Sequence, residues 1–104
     1  MLLNLLEVHE EMAHHNKAEG KKQFTIRNIV VNKRFVTYMR EDESMRNYLL
    51  DGSLPESLDK QQKFTRISIA IGNIGKDIIV VGDLQQISSW FNHEDSTKRK
   101  TLKG

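Results

Sequence analysis

Four consecutive β-branched apolar residues, Ile78-Ile79-Val80-Val81, constrain the fold more than any other segment of the chain. Successive side chains of a β-strand point to opposite faces of the sheet, so this segment is apolar on both faces. Such a strand lies inside a sheet, with other elements packed on each side of it. The chain must therefore supply strand neighbours and two covering layers for this segment.

The residues around this segment predict one strand neighbour and one cover. Apolar and polar residues alternate over 64–71, which is typical of a strand, and Gly72 and Gly75 favour a chain reversal into 77–81. Asp83 is followed by Gln86 three residues later, close to a capping box, and by apolar residues at helical spacing. We therefore predict a β-hairpin from Phe64 to Val81 closed by a helix over 83–91.

The first half of the chain supplies further elements. Apolar residues recur at three- and four-residue spacing over 1–19, which predicts an amino-terminal amphipathic helix. β-Branched and aromatic residues over 23–40 predict two strands joined by a turn at Asn32-Lys33. A short helix is predicted around Met45 to Leu50, capped by Asp42 or Ser44 and ended by Gly52.

These elements predict an α+β fold, with a small, mainly antiparallel sheet of about four strands. An N-terminal helix, a short inserted helix and a C-terminal packing helix complete it. The 104 residues suit a single domain, which we place at 1–91, followed by a flexible charged tail at 92–104. Of the chain's 16 basic and 14 acidic residues the tail holds four and two, so the predicted domain carries twelve of each. A neutral domain does not favour broad binding to nucleic-acid phosphates.

Composition narrows the class of protein. The chain has no cysteine, which excludes a disulfide framework and a cysteine zinc site. No apolar run approaches the roughly 20 residues that cross a bilayer, so we expect a cytoplasmic protein with no membrane partner. A chain of this size has a modest core, and association through an exposed strand or an apolar face would stabilise it. We therefore expect a homo-oligomer.

Residue patterns for catalysis and for metal binding are weak. His9 is followed four residues later by Ala13, so the His-Glu-x-x-His pattern of a zinc protease lacks its second ligand. The aspartates stand where turns and helix caps favour them. We therefore expect no enzyme activity, no catalytic residue, no metal and no cofactor.

A small ligand or an anion has better candidates. Arg34, Tyr38 and Arg40 alternate along one predicted strand, and Phe64 and Arg66 alternate along another. If their faces coincide, aromatic rings for stacking lie among guanidinium groups that bind phosphate. The backbone amides of the turn beside Asn73 and Lys76 could also contact an anion. The predicted ligand-binding residues are Arg40, Phe64, Arg66, Asn73, Arg34, Tyr38 and Lys76. An ordinary sheet surface with the arginines paired to Glu41, Glu43 or Asp77 is the simpler alternative.

The run from Asn28 to Phe91 resembles the short FlbD-like proteins of prokaryotes and their phages. The similarity is carried by Asn28-Ile29-Val30-Val31-Asn32, Phe64-Thr65-Arg66-Ile67, Gly75, Ile79-Val80-Val81-Gly82 and Ile87. The Leu-Pro-Glu segment, the Phe-Thr-x-Ile strand and Val-Val-Gly are also similar to small phage proteins. These include the Thoeris anti-defence proteins, which sequester cyclic nucleotide signals as oligomers. That resemblance implies ligand contacts from Arg40, Phe64, Arg66 and Asn73.

Three functions are compatible with these observations. The first is a non-enzymatic, oligomeric phage or bacterial protein that captures a phosphate-bearing small ligand such as a cyclic nucleotide, countering host defence signalling. The second is a nucleic-acid-binding or transcription-modulating regulator, and the third is a pure protein interaction module. For the first, changing Arg40, Arg66 or Phe64 to alanine is predicted to abolish ligand capture without unfolding the domain.

Overall fold

The computed structural model describes residues 2–11 and 22–92. Five strands form one antiparallel sheet: β1 (Leu2–Glu11), β2 (Gln23–Asn32), β3 (Val36–Asp42), β4 (Phe64–Ile71) and β5 (Ile74–Val81). A 3-10 helix (Lys33–Phe35) lies between β2 and β3, and helix α1 (Met45–Leu50) follows β3. Helix α2 spans 84–92. No described helix has the length and apolar character needed to cross a bilayer.

Strand β5 lies in the middle of the sheet, as its two apolar faces predict. The order of strands is β2-β1-β5-β4-β3, so β5 pairs with β4 on one side and with β1 on the other. The β4–β5 hairpin turns at Gly72-Asn73, where Ile71 pairs with Ile74. Gly72 has a φ of 60°, and among residues 2–11 and 22–92 no non-glycine residue has a positive φ, as in a two-residue turn of type II′.

The predicted amino-terminal helix is wrong over the described residues, because Leu2–Glu11 is a strand. It pairs along its whole length with β2, from Leu2 opposite Asn32 to Glu11 opposite Gln23. The periodicity misled because Leu2, Leu5 and Leu6 also fit a strand with apolar residues on both faces. Since β5 needs a second strand neighbour, tertiary pairing outweighs the weak local preference. The sheet therefore has five strands rather than about four, and residues 12–19 lie outside the described residues.

The two strands predicted within 23–40 are confirmed, but they are not a hairpin. β2 and β3 lie at opposite edges of the sheet, and the predicted turn at Asn32-Lys33 leads into the 3-10 helix. A flat sheet would separate these edges by about 19 Å, four strand spacings of about 4.8 Å each. The four residue steps from Asn32 to Val36 reach at most about 14 Å. The sheet must therefore curl so that the two edges approach at this end.

Side chains on one face of the curled sheet pack against α2, and we call this face the α2 face. Both edge strands contribute to the same cluster there, Val31 from β2 and Val36 from β3, as expected if the sheet curls towards it. The capping prediction for α2 is confirmed, since the amide of Gln86 donates to Asp83 Oδ1 at 2.7 Å. The buried members of the cluster are Leu5, Val31, Ile67, Ile78, Val80, Ile87 and Phe91.

The opposite face is covered by α1 and the segment after it, and we call it the α1 face. Met45 and Leu49 project from α1 onto the sheet, and Leu54 joins them from the following loop. Both covers that β5 requires are thus present within one chain. The buried residues of this second cluster are Val8, Phe24, Met45, Leu49, Leu54 and Phe64.

The connection from β5 to α2 requires glycine at position 82. Gly82 has a φ of +128°, and a Cβ built there would lie 2.9 Å from Ile87 Cδ1. Ile87 is fully buried and cannot move away. We expect Gly82→Ala to lower the free energy of unfolding by about 2–3 kcal/mol, measured by urea denaturation. Gly75→Ala is the matched control, since its Cβ would meet only Ile69 O at 4.0 Å; an equal loss in both variants would contradict the prediction.

The boundary predicted between domain and tail coincides to within one residue with the end of helix α2, and it stays a prediction. Helix α2 continues to residue 92, and residues 93–104 lie outside the described residues. Within α2, Ile87 and Phe91 are buried as the apolar stripe predicts, but Trp90 is 39% exposed. The Nζ of Lys33 donates to the carbonyl of Phe91 at 2.6 Å, so the end of α2 lies beside the 3-10 helix.

Candidate functional site

A pocket of about 360 Å³ opens on the α1 face, where α1 approaches the sheet. Residues from β1, from the start of β2, from α1 and from the β4–β5 hairpin line it together. We call it the α1 pocket. Its polar lining residues are Glu7, Glu10, Lys22, Ser44, Tyr48, Arg66 and Asp77.

Local hydrogen bonds at the start of α1 position its residues over the sheet. The Asp42 carboxylate accepts from Ser44 Oγ at 3.0 and 2.8 Å and from the Met45 amide at 3.3 Å. The first orphan amides of the helix are thereby partly satisfied. Met45 is then buried against the sheet, and Tyr48, one turn later, packs on Phe24 with ring centroids 4.8 Å apart. This places one aromatic wall along the α1 pocket.

Arg66 lies on β4 in the wall of the α1 pocket between two carboxylates. Its Nη2 donates to Asp42 Oδ1 at 2.9 Å, and its Nη1 donates to Asp77 Oδ2 at 3.5 Å. The hydrogen bond to Asp42 is the main cause that raises the pKa of Arg66 above its ordinary value. The guanidinium is therefore charged throughout the physiological pH range.

The two carboxylates hold Arg66 with different strength. The Asp42 side chain is 4% exposed and makes a short bond, whereas the Asp77 side chain is 35% exposed and its contact is long. A hydrogen bond at 3.5 Å is weak. Arg66 is thus fixed in direction by Asp42 and keeps donor capacity towards the pocket beside Asp77, with 29% of its side chain exposed.

The charges around the α1 pocket are mixed. Lys22 and Arg66 are basic, whereas Glu10 and Asp77 are acidic. Glu7 also touches the pocket, but its carboxylate is engaged by Arg27 Nε at 3.0 Å. A site of this kind matches a ligand that carries an anionic group together with hydrogen-bond donors.

The structure brings together only some of the predicted ligand residues. Arg40 pairs directly opposite Arg66, so the predicted strand faces do coincide at this point. The Cζ of Arg40 lies 5.6 Å from the ring centroid of Tyr38, which is 46% exposed, and both stand one strand outward from the pocket. Phe64 is on the same face but only 2% exposed, so it belongs to the core and offers no surface to a ligand.

Three predicted residues lie away from this cluster. Arg34 is in the 3-10 helix rather than on β3, and its amide donates to Asn32 Oδ1 at 3.0 Å. Asn73 is in the exposed turn of the β4–β5 hairpin. Lys76 pairs with Ile69, whose side chain packs on the α2 face, so the strand alternation puts Lys76 on that face as well. The glycine-flanked turn and the arginine patch are therefore two separate surfaces.

Three lining residues, Glu10, Lys22 and Tyr48, were not predicted to lie at a ligand site. Glu10 lies within the predicted amino-terminal helix and Lys22 lies beyond its end, so the two come together only because β1 pairs with β2. Tyr48 has the sequence signal of a helix packing residue. Asp77 was predicted only as a partner for an arginine, and the structure does pair it with Arg66. The sequence does indicate the face on which Asp77 lies. It precedes Ile79 by two residues, and residues two apart in a strand share a face of the sheet.

Metal binding finds no support within residues 2–11 and 22–92. No group of three or more histidine, cysteine or acidic side chains there could hold an ion. His9, the histidine of the incomplete zinc-protease pattern, is on β1.

Comparison with known proteins returned no similar protein. No family model, curated protein or solved structure matches the chain. The resemblance to FlbD-like proteins and to Thoeris anti-defence proteins therefore stays a prediction.

Proposed function

We propose that this protein is a non-enzymatic, oligomeric binding protein that takes a small phosphate-bearing ligand, a nucleotide, in the α1 pocket. The observation that carries the proposal is the state of Arg66. Asp42 orients its guanidinium at 2.9 Å, and the 3.5 Å contact with Asp77 can be exchanged for a ligand oxygen. Planar, oriented guanidinium groups suit bidentate contact with phosphate.

The mixed lining supports a nucleotide over a bare phosphate. Lys22 and Arg66 supply two positive charges for the phosphate. The carboxylates of Glu10 and Asp77 can accept hydrogen bonds from ribose hydroxyls or a base amino group, and bare phosphate offers no such set of donors. The ring of Tyr48 adds an aromatic surface for the base.

The hydrogen bond of Ser44, the one serine that lines the α1 pocket, supports a protein that binds its ligand without converting it. Ser44 Oγ donates to the Asp42 carboxylate, which also accepts from Arg66 and from the Met45 amide. A carboxylate that accepts from three groups serves as a helix cap and as an anchor for Arg66, and its bond to Ser44 is part of that cap. A protein that holds a signalling nucleotide unchanged withdraws it from its receptor. This is the anti-defence role that the phage resemblance implies.

Lys22 allows a test that leaves the core intact. It is exposed and lines the α1 pocket, so Lys22→Ala should keep the unfolding temperature and weaken nucleotide binding roughly 10- to 100-fold. Isothermal titration calorimetry with cyclic AMP and AMP, against adenosine and inorganic phosphate, measures this change. Lys60→Ala is the matched control, because Lys60 is exposed and outside this pocket. Equal affinity in both variants would contradict the proposed site.

The exposed tip of the β4–β5 hairpin favours a second candidate, a protein interaction module. Ile71 is 57% and Ile74 is 75% exposed there, on either side of the two-residue turn. Native mass spectrometry of freshly purified protein distinguishes the candidates. A carried nucleotide supports the binding protein, carried nucleic acid indicates the regulator, and ligand-free protein that binds no added nucleotide favours the interaction module.

A further inference from the structure

We propose that two copies of this chain pair through the outer edge of β2, antiparallel and centred on Asn28. This pairing deepens the oligomeric part of the proposed function by naming its surface. The test of this pairing measures molecular mass and cross-linking and needs no ligand. The pairing can therefore fail while nucleotide binding is confirmed, and nucleotide binding can fail while the pairing is confirmed. Four observations on β2 and its neighbours support it.

The two edge strands of the sheet differ in how well they are protected against pairing. β3 has a register shift between Val36 and Tyr38 and ends in three charged residues, Arg40-Glu41-Asp42. Bulges and charges are the usual devices that keep an edge strand from pairing. β2 runs ten residues in unbroken register with β1 and contains neither proline nor glycine. Its one charge, Arg27, is engaged by Glu7.

The hydrogen bond at one end of β2 shows which of its backbone groups point outward. The amide of Phe24 donates to the carbonyl of Ser53 at 3.0 Å, away from β1. Because strand residues alternate, the backbone groups of Ile26, Asn28 and Val30 point outward in the same way. Within the described chain these three residues have no backbone partner on that side.

A second β2 strand satisfies these groups in one register. With Asn28 opposite its own copy, Ile26 of each chain stands opposite Val30 of the other. Each of the three resulting residue pairs exchanges two backbone hydrogen bonds, about six in all. The register also sets Arg27 opposite Ile29, so the two arginines do not face each other. The strand is therefore its own complement.

The side chains agree with this register. On the α1 face β2 presents Ile26, Asn28 and Val30, with no charge among them. Val30 is 55% exposed and would cover Ile26 of the second copy. Leu2 and Leu6 on β1, 57% and 45% exposed, lie behind it and extend the apolar strip. Asn28 against Asn28 can both donate and accept through the side-chain amides.

Sedimentation equilibrium of the full chain is the first test. We expect twice the monomer mass of 12.1 kDa for the wild type. Asn28→Pro removes an outward amide, and Val30→Lys places a charge on the strip, so each should raise the dimer dissociation constant roughly 10-fold or more. Leu50→Lys is the matched control, since Leu50 is 53% exposed on α1 and should leave the dimer unchanged.

The register has its own test because the chain contains no cysteine. Opposed residues of a hydrogen-bonded antiparallel pair have Cα atoms about 5.5 Å apart, within disulfide range. Asn28→Cys should therefore oxidise to a covalent dimer on a non-reducing gel, and Leu50→Cys should not. A monomeric wild type, a dimer that survives both β2 substitutions, or equal oxidation of both cysteine variants would overturn the proposal. So would a monomer that dimerises only after removal of residues 93–104, because the chain's own tail would then cover the edge.

Discussion

Phe64→Ala is expected to lower the free energy of unfolding by about 3–5 kcal/mol, the range found when large aromatic residues are truncated in cores. Phe64 is 2% exposed and packs among Met45, Leu49 and Leu54 on the α1 face. The sheet backbone on both sides of it is fixed by the pairing of Phe64 with Asp42 and Val81, so the site cannot collapse to fill the cavity. Stabilities of small domains are about 5–15 kcal/mol, so a large share would be lost.

Urea denaturation followed by circular dichroism measures this loss. The control is Tyr38→Ala on β3, which removes an aromatic ring from the same face at 46% exposure and should change stability by less than about 1 kcal/mol. Comparable losses in the two variants would refute the core role of Phe64. This expectation replaces the sequence-based prediction that Phe64→Ala abolishes ligand capture without unfolding the domain. Because Phe64 is buried, a loss of ligand binding in this variant would be a consequence of unfolding.

The carboxy-terminal half of the fold was predictable from sequence for a physical reason. The β4–β5 hairpin and α2 are contiguous, and each has its own local signal: strict alternation, a glycine at the turn and an aspartate cap. The central place of β5 followed from its two apolar faces alone. In such a unit local preference and tertiary packing agree.

Strand β1 shows where sequence reasoning failed. Its leucines fit helical spacing, and its strand character depends on β2 and β5, the latter more than sixty residues away along the chain. The same error hid the α1 pocket, since Glu10 and Lys22 meet only when β1 pairs with β2. Arg66 was found because its alternation with Phe64 is local, but alternation could not tell that Phe64 is buried under α1 while Arg66 remains partly exposed.

The Asp42–Arg66 pair is expected to be the strongest polar link of the α1 face. Asp42→Ala should lower the free energy of unfolding by about 3–5 kcal/mol, because it leaves Arg66 without its main partner in a partly buried site. It also removes the acceptor of Ser44 Oγ and of the Met45 amide at the start of α1. Arg66→Ala should cost roughly 2–3 kcal/mol, since it leaves the 4% exposed Asp42 carboxylate without its cation but with the donors Ser44 and Met45.

A double-mutant cycle separates the pair from these other losses. Asp42→Ala combined with Arg66→Ala should cost less than the two single changes together, with a coupling energy of about 1–3 kcal/mol. The Glu41–Lys63 pair provides the matched cycle: its atoms are 3.6 Å apart and its side chains are 45% and 61% exposed, so its coupling should be below about 1 kcal/mol. Additive losses at Asp42 and Arg66 would show that the carboxylate does not orient the guanidinium. Arg66 would then be one more solvated arginine, and the proposed phosphate contact in the α1 pocket would lose its anchor.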